Sequence, residues 1–305
     1  LHTSRVHSSH LKFVQRPAMA TTPPPTACTL PNSAAHPSLI DHALRLNGWH
    51  KRGRELQTCG TLLPAHTGTS RLAWTVSQRS RFAQHFHQDF FEDQYGRGAR
   101  CFFMTVRDPV ARLQSAFSFE KSHVNWGQDQ HLNSNIRHTK SPGHFVRLLR
   151  DGKDARPDVR TPQRQAALVK IFNGSLHGHR RWGQRGREVL HTGNYGLIPQ
   201  LDYLRGLEGR ADVELHLVCQ NQLDRHLDAA WRKFEPGQAP PPLPPEEAAK
   251  STSQHKTTLH NKYAGDRTWL RLTADERAYV RECMFPGDAE LARRLCHGNN
   301  ASGLP

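Results

Sequence analysis

The sequence predicts an α/β domain with a central parallel sheet flanked by helices, and three segments predict it. Cys101 to Val106 are apolar or β-branched throughout, as a strand covered on both faces must be, and an amphipathic helix follows at once. Leu62 and Leu63 close a second strand that runs into a tight loop, Pro64 to Ser70, and then into a helix start. Val213 to Cys219 form a third apolar run, followed by a helix from about Gln222 to Phe234. Strands that each lead into a helix pair in parallel.

The first of these segments carries the most chemistry. Arg107-Asp108-Pro109 stops the strand; Asp108 is a good N-cap and Pro109 suits the first helical position. Val110, Leu113, Ala116 and Phe117 recur at helical spacing on one face, whereas Arg112, Ser115 and Phe119 fall on another. Arg107 therefore leaves the carboxyl end of a strand and Ser115 lies two turns into the helix, a placement in which a guanidinium and a hydroxyl converge on one anion.

In the upstream loop, Gly68 lets the backbone approach a ligand closely, successive N–H groups point at an oxyanion, and Thr67, Thr69 and Ser70 add hydroxyl donors. Leu72, Trp74 and Val76 continue beyond it. Between the two loops, Phe82 to Phe91 reads as a strand that puts His85 and His87 on the same side. A zinc pair there would need at least one further ligand, and no Cys-x-x-Cys or His-Glu-x-x-His pattern supplies it. Further on, Leu272 precedes Thr273, an N-cap for a helix with Asp275 and Glu276 in its acidic first turn.

Arg107-Asp108-Pro109 with Arg112 and Ser115 resembles the 3′-phosphate-binding motif of the sulfotransferases that use 3′-phosphoadenosine 5′-phosphosulfate (PAPS), in particular the Golgi carbohydrate group. The resemblance implies a P-loop-like three-layer sandwich and transfer of a sulfuryl group from PAPS to a glycan hydroxyl, without a metal. It implies that Arg107 and Ser115 hold the 3′-phosphate, and that His66, Thr67, Gly68, Thr69 and Ser70 form the 5′-phosphosulfate loop. One departure stands out: the family's loop lysine is His66 here, and its usual proline falls on Ala65. A histidine neutralises the departing phosphate oxygen only while protonated, below about pH 6.5. The His85/His87 segment resembles the His-x-His strand of the uronyl 2-O-sulfotransferase branch, which implies that His87 is the general base and His85 an orienting neighbour.

More loosely, Gln165 to Gly174 resembles a helix that many glycan sulfotransferases carry, Gln200, Tyr203 and Leu204 precede the last strand, and His255 to Lys262 reads as a basic loop. Two alternatives stay open at this level: a catalytically weak domain that binds PAPS or anionic glycan, because the loop lysine is absent, and a P-loop phosphotransferase, against which the missing Gly-Lys-Ser/Thr ending argues.

The 305 residues suffice for one such domain, expected over 56–297, with a stalk-like Ser/Thr/Pro/His-rich segment over 1–45 and a tail over 298–305. A net charge of +15 indicates a polyanionic partner; an anionic polysaccharide fits the motifs better than nucleic acid, for which no recognition module is present. The six cysteines read as too few and scattered for a disulfide framework: Cys59, Cys101 and Cys219 as buried thiols, Cys283 and Cys296 as a candidate bridge. Sequons at Asn173 and Asn300 and the resemblance imply a glycoprotein of the Golgi lumen or secretory pathway, with any membrane anchor missing from this chain.

Overall fold

The computed structural model describes residues 28, 36–48, 59–64, 67, 72, 76, 90–122, 139, 141–151, 197–239 and 268–297. His66, Gly68, Thr69, Ser70, His85, His87, the helix expected over 165–174, the basic loop over 255–262 and both sequons lie outside the described residues.

Three short strands, β1 (Cys59–Leu62), β2 (Cys101–Val106) and β3 (Glu214–Cys219), form a parallel sheet in the order β1-β2-β3. Cys59 lies opposite Cys101 and Leu62 opposite Met104; Cys101 also lies opposite Glu214, and Val106 opposite Cys219. Beyond β3, Asn47 makes a parallel bridge to Leu215, and its side-chain oxygen accepts the Leu217 N–H at 2.8 Å. The described helices are, in order, α1 (Pro37–Leu46), α2 (Phe91–Gly96), α3 (Pro109–Ser122), α4 (Pro142–Asp151), α5 (Leu223–Phe234), α6 (Ala274–Tyr279) and α7 (Pro286–Ala292). Wider π turns continue α6 through Val280–Met284 and α7 through Arg293–His297, and a short 3-10 helix spans Gln200–Leu204.

Both faces of the sheet are covered, which is why β2 is buried at every position. Strand alternation sends Leu62, Phe102, Met104, Leu215 and Leu217 to one face, against Ile40 and Ala43 of α1, Phe91 of α2, Leu201 and Leu204, and Leu291 of α7. Cys59, Cys101, Phe103 and Val218 face the other way, toward Leu227, Ala230 and Trp231 of α5 and toward Leu72 and Val76. A separate apolar cluster joins α3, α4 and the end of α6 through Leu113, Phe117, Phe145, Leu149, Val280 and Phe285. Thr273 caps α6 as its sequence context predicts, with a reciprocal capping box to Glu276.

Three expectations are corrected. A helix stands within the span read as a stalk: α1 buries Leu39, Ile40 and Ala43 on one stripe, so the sheet draws this segment into its core. Phe91, expected to end a strand, opens α2: Phe90 is its extended N-cap residue, and Glu92 and Asp93 supply an acidic first turn. All six cysteines are bridged, as Cys28–Cys283, Cys59–Cys101 and Cys219–Cys296, so none of the three strand cysteines is a thiol and Cys283 does not pair with Cys296.

The reason is register. Cys59 and Cys101 are direct neighbours on adjacent strands, with Cα atoms 4.2 Å apart, and Cys219 ends β3 beneath the turn carrying Cys296. Non-reducing peptide mapping is expected to recover these three linked pairs and no free thiol; a Cys283–Cys296 peptide would contradict the assignment.

Candidate functional site

The two motif loops leave the carboxyl ends of β1 and β2, adjacent strands, which is where ligands of open parallel sheets sit. They are tied together directly. The Thr67 hydroxyl donates to the Pro64 carbonyl at 2.6 Å and lies 2.6 Å from the Thr105 hydroxyl, two residues before Arg107. With the Thr67 proton on Pro64, the Thr105 hydroxyl donates to Thr67. Both threonines are fully buried. Thr67, expected to offer its hydroxyl to a ligand, instead ties it to Pro64 and to Thr105 of β2.

After β2, Asp108 is the N-cap expected from the sequence: one carboxylate oxygen accepts the N–H groups of Val110 and Ala111 at 3.0 and 3.1 Å. Its other oxygen accepts from Arg281 Nε at 3.0 Å, which brings the π turn after α6 over the start of α3. The helix terminus is thus already answered by a carboxylate. The first N–H groups of α3 are therefore occupied by the Asp108 side chain.

Arg107 and Ser115 are both half-buried. Ser115 belongs to a partly open stripe of α3, Ala111, Gln114, Ser115 and Ser118, crossed where Gln114 Nε2 donates to the Leu270 carbonyl at 2.9 Å. Arg112 does not share that face. It is fully buried and paired at 3.6 Å with the equally buried Asp288 of α7. The sequence put Arg112 with Ser115 because a charged side chain at that position ordinarily points outward; a partner far along the chain turns it inward.

Asp288 is surrounded by donors. Its oxygens accept the Gln200 and Leu201 N–H groups at 2.8 and 3.0 Å and the Gln200 side-chain amide at 3.3 Å, besides facing Arg112. Burial pushes the Asp288 carboxyl up from its ordinary value, and Arg112 with these donors works against that rise. The same Gln200 carboxamide also reaches Arg107, accepting its N–H at 2.9 Å and donating to its carbonyl at 2.8 Å. Burial first, and then the charge of Arg112, pull the Arg107 guanidinium down from its usual range, while Asp108 acts the other way. A half-buried cation next to a second cation is an environment that an anion stabilises.

At the end of β3, His226 Nδ1 accepts the Cys219 N–H at 3.2 Å, which fixes the ring proton on Nε2, 3.0 Å from Gln222 Oε1. Burial, and then Arg225, hold its pKa below the usual histidine value. Sequence reasoning passed over His226 and Asp288; an acidic residue in the first turn of α7 looks like ordinary helix-end chemistry, and Gln200 stood out only through the loose resemblance of its segment. Among the described residues, Cys101, Glu214 and His216 bring metal-ligand atoms within 4.8 Å of one another, but the Cys101 sulfur is bonded to Cys59.

Comparisons with protein-family models, with curated proteins and with solved structures find no match to this chain.

The buried groups set two expectations. Asp288→Ala and Arg112→Ala should each lower the unfolding free energy by about 3–5 kcal/mol, since each leaves an uncompensated buried charge, and the double variant by less than the sum. Urea unfolding of the disulfide-intact chain reads this, and a neutral single substitution would contradict the pairing. The depressed His226 pKa means that the folded chain binds fewer protons than the unfolded one below about pH 6.5. Its stabilising contribution is complete above that pH and is lost as pH falls through the folded value. The urea midpoint should therefore drop more between pH 7.5 and 5.5 in the wild type than in His226→Gln; equal drops would contradict it.

Proposed function

We propose that this chain transfers a sulfuryl group from PAPS to a hydroxyl of a glycan. The observation that most supports this reading is the Thr67–Thr105 contact, which joins the start of the phosphosulfate loop to the strand that delivers Arg107. One adenosine donor with phosphates at both ends needs two anion cradles side by side, and adjacent parallel strands supply neighbouring origins for them. The half-buried Arg107 beside the charge of Arg112 fits the donor's 3′-phosphate, with Ser115 as the second contact. Helices on both faces of the sheet support a P-loop-like three-layer sandwich as its setting.

In this reading His66 and the N–H groups of 67–70 neutralise the departing phosphate oxygen. The acceptor hydroxyl oxygen bonds to sulfur as the sulfur–oxygen bond to the 5′-phosphate breaks, and adenosine 3′,5′-bisphosphate leaves. His87 takes the hydroxyl proton and His85 orients it. Three disulfides support an oxidising compartment, the Golgi lumen or secretory pathway. The charge of +15 supports an anionic polysaccharide as acceptor. A second reading, a domain that binds donor or glycan with little turnover, rests on His66 in place of lysine.

Transfer from radiolabelled PAPS to a panel of desulfated glycans separates the two. The enzyme reading expects wild-type incorporation and a loss of about 10²–10⁴-fold in His87→Ala. It expects a bell-shaped pH profile, because His66 acts protonated and His87 neutral; His66→Lys should remove the alkaline limb. Bisphosphate binding without transfer would favour the second reading, and absence of both would overturn the assignment.

A further inference from the structure

We infer that Gln200 is a positioning residue that sets the direction of Arg107, and with it selectivity for a ligand carrying a 3′-phosphate; this rests on the function proposed above. The β2–β3 ladder ends at Val106 opposite Cys219, so the backbone N–H and carbonyl of Arg107 lie past the last paired position. The Gln200 side chain supplies partners to both, at 2.9 and 2.8 Å, as one further residue of a neighbouring strand would. Two bonds from one planar amide fix the peptide groups on either side of the Arg107 Cα. They therefore fix the line along which its side chain departs.

A glutamine can do this only if it is itself held. Gln200 is fully buried, its own N–H is bonded to Asp288 Oδ2 at 2.8 Å, and the next N–H, of Leu201, is bonded to Oδ1 at 3.0 Å. Asp288 in turn faces Arg112 on α3, five positions beyond Arg107 on the same stretch of chain. The connections form a closed circuit: Arg107 backbone to Gln200, Gln200 to Asp288, Asp288 to Arg112, and back along α3 through the Asp108 cap. Such a circuit leaves the corner between β2 and α3 little freedom to tilt. A guanidinium that must meet a phosphate with two parallel bonds depends on that orientation, and a misplacement of about 1 Å is worth about 100-fold in a positioned contact.

The test compares affinities for adenosine 3′,5′-bisphosphate and adenosine 5′-phosphate by calorimetry on the whole disulfide-intact chain. Wild type should prefer the bisphosphate, and Arg107→Ala should erase the preference. Gln200→Met, of similar length and without the amide, should reduce the preference about ten- to a hundredfold while the affinity for adenosine 5′-phosphate stays unchanged. A wild type without preference would overturn the assignment of the 3′-phosphate to Arg107, and with it this inference. A wild type with preference that Gln200→Met retains in full would overturn the role of Gln200 alone.

Gln200→Glu covers the case in which Gln200→Met fails to fold. A carboxylate there faces the Arg107 carbonyl and Asp288 without a proton to donate, whereas the protonated acid restores a donor. Its preference, relative to wild type at the same pH, should recover as pH falls; a ratio that does not move with pH would count against the positioning role.

Discussion

The buried carboxylate of Asp288 is the constraint on which the rest of the site depends. Taking a carboxylate out of water costs several kcal/mol, so it persists only where donors surround it. Here four groups converge on it: two backbone N–H groups and an amide from the Gln200 turn, and the Arg112 guanidinium. In meeting that demand the chain fastens three distant segments to one point: the start of α3, the 3-10 helix at Gln200–Leu204 and the first turn of α7. The corner where Arg107 leaves the sheet inherits its geometry from that point.

A second layer of constraint ties the sheet to its surroundings. The Cys59–Cys101 bridge locks β1 to β2 at their amino ends, and the Thr67–Thr105 contact locks the chain at the opposite ends of the same two strands. The register between these strands is therefore fixed at both ends, which matters when a loop from one and an arginine from the other are proposed to grip one ligand. Cys219–Cys296 fastens the third strand to the π turn after α7, and Cys28–Cys283 brings an N-terminal residue onto the π turn after α6. Cross-links that span long stretches of chain stabilise chiefly by restricting the unfolded ensemble.

What was legible in the sequence was local. The apolar run of β2, the Asp108 cap with Pro109 after it, β3 with its following helix and the Thr273 capping box are each specified by a few neighbouring residues, and each is found where those residues place it. What was not legible was set by distant partners. Arg112 turns inward because Asp288 stands 176 positions on, a relation no periodicity records. Cys59 meets Cys101 because strand register, not spacing, aligns them. The helix over Pro37–Leu46 carries a modest apolar stripe in a polar neighbourhood, and only the open sheet face explains its burial. The Thr67 hydroxyl looked like a ligand donor until a neighbouring strand offered Thr105.

The central claim is that one ligand bridges the two loops at the carboxyl edge of β1 and β2. Amide hydrogen exchange read by mass spectrometry, with adenosine 3′,5′-bisphosphate titrated into the disulfide-intact chain, tests it most directly. Peptides covering 64–70 and 107–115 should gain protection together, along a single saturation curve. Protection confined to one of them, or appearing at the two with different midpoints, would contradict a shared site.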